Sequence, residues 1–254
     1  MRRLRVTLCV SALSLALGGG ALADPLKPEL VWNAGVASNY MYRGVSQTAG
    51  GVEGFGGADL TYGPGYAGVW ASNVDFQGDS GNGDTTNIET DIYGGLSPTF
   101  AGATFTLGGV YYAYWSTPKA VPGTNNYFEL KAGISKGFGP VTAGVQYFHS
   151  WKFPQNGGPA DYFEGDLAYA ISPKLSLSGA LARQTLDING AGLGVVTGYN
   201  TWNLGLTYAI TDHLSIDGRY SGVNSAAADF FGRSQSGPFN AGNRVFGTVK
   251  ATFP

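Results

Sequence analysis

The chain has 254 residues, 15 basic and 17 acidic side chains for a formal charge of −2, 13% charged residues, 13% aromatics and 41 glycines. That charged fraction is about half the usual one for a soluble globular protein, which argues against a surface built for water. Without clustered positive charge the chain is not built for a nucleic-acid backbone, and with a single cysteine, Cys9, it has no disulfide framework.

In chain order, Met1-Arg2-Arg3-Leu4-Arg5 is basic, residues 6–17 are apolar, and Ala21-Leu22-Ala23 precedes Asp24. This pattern predicts a cleaved secretory signal over 1–23 and a mature chain over 24–254. The apolar core is too short for a transmembrane helix, which needs about 20 residues. Cleavage would remove Cys9 and three arginines, leaving 12 basic against 17 acidic residues.

No later segment is apolar for long enough to span as a helix, whereas period-two alternation recurs in runs of about ten residues. The first run, 30–43, sets Leu30, Trp32, Ala34, Val36, Tyr40 and Tyr42 against Asn33, Asn39 and Arg43. The second, 51–62, sets Ala58, Leu60 and Tyr62 against Glu53, Asp59 and Thr61, and the third, 66–76, sets Trp70, Val74 and Phe76 against Asn73 and Asp75. Runs at 87–96, 103–115, 127–136 and 141–151 carry Glu89, Asp91, Glu129 and Lys131 on their polar faces. Those at 160–170, 175–185, 199–209, 214–223 and 243–253 contribute Glu164, Asp166, Asp217, Arg219, Arg244 and Lys250. Short turns at 63–65, 97–102, 137–140, 172–174 and 211–213 alternate with longer polar loops at 44–50, 77–86, 116–126, 152–159, 186–198 and 224–242.

Twelve alternating runs joined by short and long connections in turn predict an all-β fold, a transmembrane antiparallel up-and-down β-barrel. A sheet can cross hydrocarbon only by closing, because each unpaired backbone group there costs several kcal/mol. Aromatics near strand ends predict two interfacial girdles: Tyr40, Tyr42, Tyr112, Tyr114, Trp115, Tyr147, Trp151 and Tyr199 at the loop ends, and Trp32, Tyr62, Tyr66, Phe105, Tyr169, Tyr208 and Phe253 at the turn ends.

Three stretches carry a family resemblance: Ser38-Asn39-Tyr40-Met41-Tyr42-Arg43-Gly44-Val45-Ser46-Gln47, Ala67-Gly68-Val69-Trp70-Ala71-Ser72-Asn73-Val74-Asp75-Phe76, and Glu89-Thr90-Asp91-Ile92-Tyr93-Gly94-Gly95. On these the sequence resembles the TorF-family porins of Gram-negative bacteria, most strongly over the first third of the mature chain. The resemblance implies an outer-membrane pore. The expected partners of such a barrel are outer-membrane lipid and lipopolysaccharide, small solutes or ions, and the barrel-assembly machinery; the barrel is expected to be a monomer, with no cofactor or metal.

The expected lumen lining is Arg43, Glu53, Asp59, Asp75, Glu89, Asp91, Glu129, Lys131, Glu164, Asp166, Asp217, Arg219, Arg244 and Lys250. Nine acids against five bases favour cations, because fixed charge in a narrow pore sets which ions dwell there; the same charges also serve simply to fill and hydrate the interior as mutual ion pairs. Small residues at Gly35, Ala37, Gly108, Gly133, Gly144, Ser176, Ser178 and Gly205 favour an open bore, and the long loop with Phe230, Phe231, Arg233 and Phe239 is a candidate constriction.

Catalysis has weaker support. The pairs Glu89/Asp91 and Glu164/Asp166 have the spacing of a general acid and base, but any polar strand face produces it. A lipid hydrolase needs a serine beside a histidine, and Ser150 has the opposite parity to His149, while His213 lies in a turn. The loop Asp79-Ser80-Gly81-Asn82-Gly83-Asp84 lacks the ligand pattern of a calcium loop, and Gly190-Ala191-Gly192-Leu193-Gly194 lacks the helix of a dinucleotide site.

Overall fold

The computed structural model describes residues 27–76, 86–116, 125–154, 158–186, 198–224 and 240–254. The expected signal peptide, the 79–84 and 190–194 glycine loops, and Phe230, Phe231, Arg233 and Phe239 lie outside these residues.

The strands, in chain order, are β1 (Glu29–Ala37), β2 (Met41–Tyr42), β3 (Val45–Ser46), β4 (Glu53–Tyr62), β5 (Gly65–Asn73), β6 (Thr86–Leu96), β7 (Thr99–Phe100), β8 (Ala103–Ser116), β9 (Tyr127–Phe138), β10 (Val141–Ser150), β11 (Ala160–Ala170), β12 (Leu175–Leu186), β13 (Tyr199–Ala209), β14 (Leu214–Val223), β15 (Asn240–Ala241) and β16 (Arg244–Phe253). Twelve of them, all but the two-residue β2, β3, β7 and β15, pair antiparallel in sequence order. The sheet closes where β1 meets β16, from Trp32 opposite Phe253 to Ala37 opposite Thr248. The predicted twelve-stranded antiparallel barrel is thus the fold, and closure leaves no edge with unpaired backbone groups.

The period of two decides which residues face out. Along β6, Ile88, Ile92 and Leu96 are exposed while Glu89 and Asp91 are buried. Along β12, Leu181 is 72% exposed and Ser176, Ser178 and Gln184 are buried. A soluble protein would bury the first set and solvate the second; here the inversion gives an apolar exterior and a polar interior.

Three expectations on the placement of aromatic residues are corrected. The first barrel strand ends at Ala37, not at 43, and Tyr40 and Tyr42 turn inward instead of joining a girdle. On β5 the parity is reversed: Trp70 points into the barrel against Tyr40 and Phe55, and Val74 and Phe76 are buried past the strand end. Tyr66, Tyr112 and Tyr199 are buried as well, and Tyr114 packs on the interior clusters. Trp32, Tyr62, Phe105, Trp115, Tyr147, Trp151, Tyr169, Tyr208 and Phe253 do lie on the exposed face.

Candidate functional site

The segment between β1 and β4 folds into the barrel. Met41–Tyr42 pairs with Val45–Ser46 as a small hairpin, and Arg43 (φ 48°) and Gly44 (φ 78°) form its tip. Positive φ at both central residues is the geometry of a type I′ turn, which suits Gly44 and strains an arginine. β15 adds a third strand, Asn240 opposite Ser46 and Ala241 opposite Val45. Behind the tip the segment satisfies its own polar groups: the Ser46 hydroxyl donates to Asn39 Oδ1 at 2.6 Å, the Tyr40 amide to Thr48 Oγ1 at 3.1 Å, and the Gln47 amide to the Tyr40 carbonyl at 2.8 Å.

Consecutive residues of this hairpin reach across the bore. Tyr40 packs edge-on against Trp70 of β5 and donates to Glu89 Oε1 of β6 at 3.0 Å. The Tyr42 hydroxyl donates to that of Tyr112 on β8 at 3.1 Å and lies 3.3 Å from that of Tyr127 on β9. Arg43 holds Glu129 of β9 with both terminal nitrogens, at 2.9 and 2.6 Å, and donates to Gln184 Oε1 of β12 at 2.9 Å. Its guanidinium also sits over the rings of Tyr162 on β11, 4.1 Å away, and Phe148 on β10, 5.1 Å away. A Cβ on Gly44 would collide with Val223 of β14 and come 2.7 Å from Thr201 Oγ1 of β13. Nine of the twelve barrel strands are contacted by a stretch of five residues.

The inward-folded element is therefore this hairpin in place of a simple strand-to-loop transition. The expected constriction at 224–242 lies largely outside the described residues; its described end, β15, is attached to the hairpin.

All but three of the expected lumen residues fall into four groups. Glu129 and Arg43 form the buried pair just described, and the Tyr112 hydroxyl adds a bond to Glu129 Oε2 at 3.1 Å. Asp217 and Arg219 form a second: Arg219 donates to Asp217 at 3.0 and 3.2 Å, to Asn203 at 2.7 Å and to Ser178 at 2.9 Å, while Thr207 donates to Asp217 at 2.7 Å. Lys131 lies under Phe148, its ammonium 5.3 Å from the ring, with Glu164 and Asp166 as its electrostatic neighbours. Glu53, Asp59, Glu89 and Asp91 form the fourth group, inward on β4 and β6, with the Tyr93 hydroxyl bonding Asp59 and Ser72 donating to Glu53 at 3.4 Å.

The remaining three stand apart. Asp75 lies beyond the end of β5, its amide donating to the Gln47 carbonyl at 2.8 Å, so it caps the hairpin segment instead of lining a strand. Arg244 is half-exposed at the loop end of β16, donating to the Asn243 carbonyl at 3.1 Å. Lys250 is half-exposed between Gly35 and Ser215 in the turn half. Small interior residues are not all empty space: a Cβ on Gly144 would meet the Asp166 carboxylate at 2.5 Å, and one on Gly205 the Arg219 guanidinium at 2.7 Å. These glycines make room for opposing charged side chains.

Burial is uneven along the barrel axis. At the loop end the interior is filled by the hairpin and three apolar clusters, among them Tyr40–Trp70–Val74–Phe76 and Val110–Tyr112–Tyr127. Toward the turns, Asn33, Asp59, Ser135, Thr142, Ser215 and Lys250 are only half-buried. The interior is thus filled at the loop end and less tightly filled around these residues, although Ser176, Ser178 and Thr207 stay buried near the turns of β12 and β13.

His149 and Ser150 do not come together. His149 faces outward with its Nδ1 2.8 Å from Asp161 Oδ1, while Ser150 is fully buried on the inner face. Among the described residues no cluster of three or more His, Cys, Asp or Glu side chains is arranged to hold a metal.

Solved structures share this architecture. A NanC porin superposes with a TM-score of 0.58 at 10% identity, covering 89% of this chain and 100% of its own. A KdgM porin in complex with disordered oligogalacturonate gives 0.54 at 10% identity, covering 89% and 99%. An outer-membrane channel from Pseudomonas putida F1 gives 0.52 at 9% identity, covering 93% and 98%. At such identities the likeness is one of fold: this is the barrel of outer-membrane porins. No curated protein matches the sequence. A family model matches residues 23–253, and the chain belongs to that family, described as bacterial proteins of unknown function, Gcw_chp.

Proposed function

We propose that the chain is an outer-membrane channel of the porin type, exported by a cleaved signal peptide and acting as a monomer that passes small hydrophilic solutes or ions. The observation that carries this reading is the hairpin across the bore. A barrel that only needed stability would fill its interior with strand side chains, as narrow barrels do, whereas here a separate element, held at its tip by side chains, narrows one end of an otherwise polar interior. The resemblance to TorF-family porins supports the same reading, as does the porin-type barrel. An enzymatic role has no support in the placement of His149 and Ser150. Lipopolysaccharide around the exposed face and the barrel-assembly machinery during insertion are the partners this reading requires.

Selectivity follows from which charges are paired. Arg43 is matched by Glu129, Arg219 by Asp217, and Lys131 by Glu164 and Asp166, leaving Glu53, Asp59, Glu89 and Asp91 on β4 and β6 against Lys250 and the loop-end Arg244, an acidic surplus. We infer a preference for cations. The oligogalacturonate of the KdgM complex, a polyanion, is not a substrate this interior favours. Single-channel recording in planar bilayers tests both points. The folded protein is expected to conduct, with larger steps when residues 39–50 are replaced by a short Gly-Ser linker, and with a reversal potential displaced toward that of the cation. Silence from both the intact and the shortened protein would overturn the channel reading; a reversal potential on the anion side would overturn the charge argument alone.

A further inference from the structure

The acidic surplus holds an unusual pair. Glu89 and Asp91 lie on the same face of β6, Cα atoms about 7 Å apart, and are 1% and 0% exposed. Glu89 Oε1 accepts the Tyr40 hydroxyl and the Tyr114 hydroxyl stands beside the same carboxyl, but Glu89 Oε2 and both oxygens of Asp91 meet no donor of their own, the two carboxyl groups facing each other. Their cross-strand neighbours are Ser72 and Trp70 on β5 and Tyr114 and Tyr112 on β8, none of them basic. The nearest arginine across the bore, Arg43, is committed to Glu129. Buried carboxylates are paired, take up a proton or coordinate a cation, because an isolated charge there costs far more than a lost hydrogen bond. The two buried ion pairs of this barrel obey that rule, each acid meeting an arginine and further donors. Glu89 and Asp91 meet no basic side chain.

We propose that Glu89 and Asp91 bind a hard divalent cation of the calcium class. Three orphaned carboxylate oxygens on adjacent side chains supply anionic oxygen ligands, and the two charges match a dication. Calcium accepts mono- or bidentate carboxylates and fills the rest of its shell with neutral oxygens. Softer metals want nitrogen or thiolate, and no such ligand is in this pair. Asp59, half-buried on β4 and bonded by the Tyr93 hydroxyl of β6, lies on the turn side of the pair and adds a further acid near it. The bound ion would tie β6 to the Tyr40 segment through Glu89. This site goes beyond the channel reading and does not depend on whether the barrel conducts.

The test is thermal unfolding of the folded barrel in detergent, with calcium chloride against a chelator. Wild type is expected to melt about 5 °C higher at calcium well above its Kd, and a surface control, Asp161→Asn, to show the same rise. Asp91→Asn and Glu89→Gln are expected to lose the calcium response, and Asp91→Asn to melt above wild type in chelator because an uncompensated charge is gone. No calcium response in wild type, or an equal response in wild type and both variants, overturns the proposal. If one variant fails to fold, the other decides.

Discussion

Replacing Arg43 with alanine separates the hairpin from the barrel wall at its strongest point. The guanidinium makes three hydrogen bonds, two of them to a carboxylate that is 1% exposed, and covers two aromatic rings of the barrel wall besides that of Tyr42. Removing one partner of a buried ion pair costs about 3–5 kcal/mol, because the charge left behind has no solvent to return to. Glu129 keeps the Tyr112 hydroxyl as a donor, which places the cost at about 3 kcal/mol rather than above it. Borne by the hairpin, that energy shifts the balance between seated and withdrawn forms by a factor of about 150. In planar bilayers Arg43→Ala is expected to show larger or more frequent open events than wild type, and limited proteolysis to cut within residues 38–52 faster. Adding Glu129→Gln to Arg43→Ala removes the orphaned charge, so the double variant is expected to recover part of the lost stability, a non-additive result diagnostic of a direct pair. Identical conductance and proteolysis in Arg43→Ala and wild type would refute the view that this pair seats the hairpin.

Other substitutions probe the wall. Gly205→Val places a side chain where the Arg219 guanidinium lies, 2.7 Å from the new Cβ, and is expected to cost about 1–3 kcal/mol, read as a lower midpoint for heat-induced unfolding on a denaturing gel. Ile92→Arg puts a charge on the exposed face of β6, 56% exposed, and is expected to destabilise insertion into lipid vesicles by about 2–4 kcal/mol, against a smaller effect for Ser135→Arg on the inner face. Tyr42→Phe removes the hydroxyl that meets Tyr112 and Tyr127, and about 1 kcal/mol of hairpin seating is expected to go with it, seen as a small rise in open events.

The barrel was legible because lipid imposes a strict rule on one face. Ile88, Ile92 and Leu96 recur on the exposed side with only Thr90 and Gly94 between them, so strand count and most parities followed from hydrophobicity alone. The rule is one-sided, and that is where reading the sequence failed. Aromatic residues serve equally as lipid contacts and as filling for a narrowed interior, so Trp70, Tyr66 and Tyr112 gave no sign of which face they occupied. The hairpin left two signals. A run at 30–43 is longer than the 9–11 residues a tilted strand needs, and Arg43-Gly44 sits in its continuation where a turn with positive φ is possible. The partners of Arg43 were out of reach of sequence, since Glu129 and Gln184 lie 86 and 141 positions away.

The hairpin's place in the chain bears on assembly. It belongs to the connection that leaves β1, and β1 forms the last seam with β16, which joins residues more than two hundred positions apart. Once that seam zips, the wall is continuous, and a segment tethered at both ends to neighbouring strands can enter only over the loop rim. Contacts so distant in sequence form late and slowly. The order of events during insertion, hairpin docking on Glu129 before β1 meets β16 or after it, thus decides whether newly made barrels emerge narrowed or briefly unobstructed.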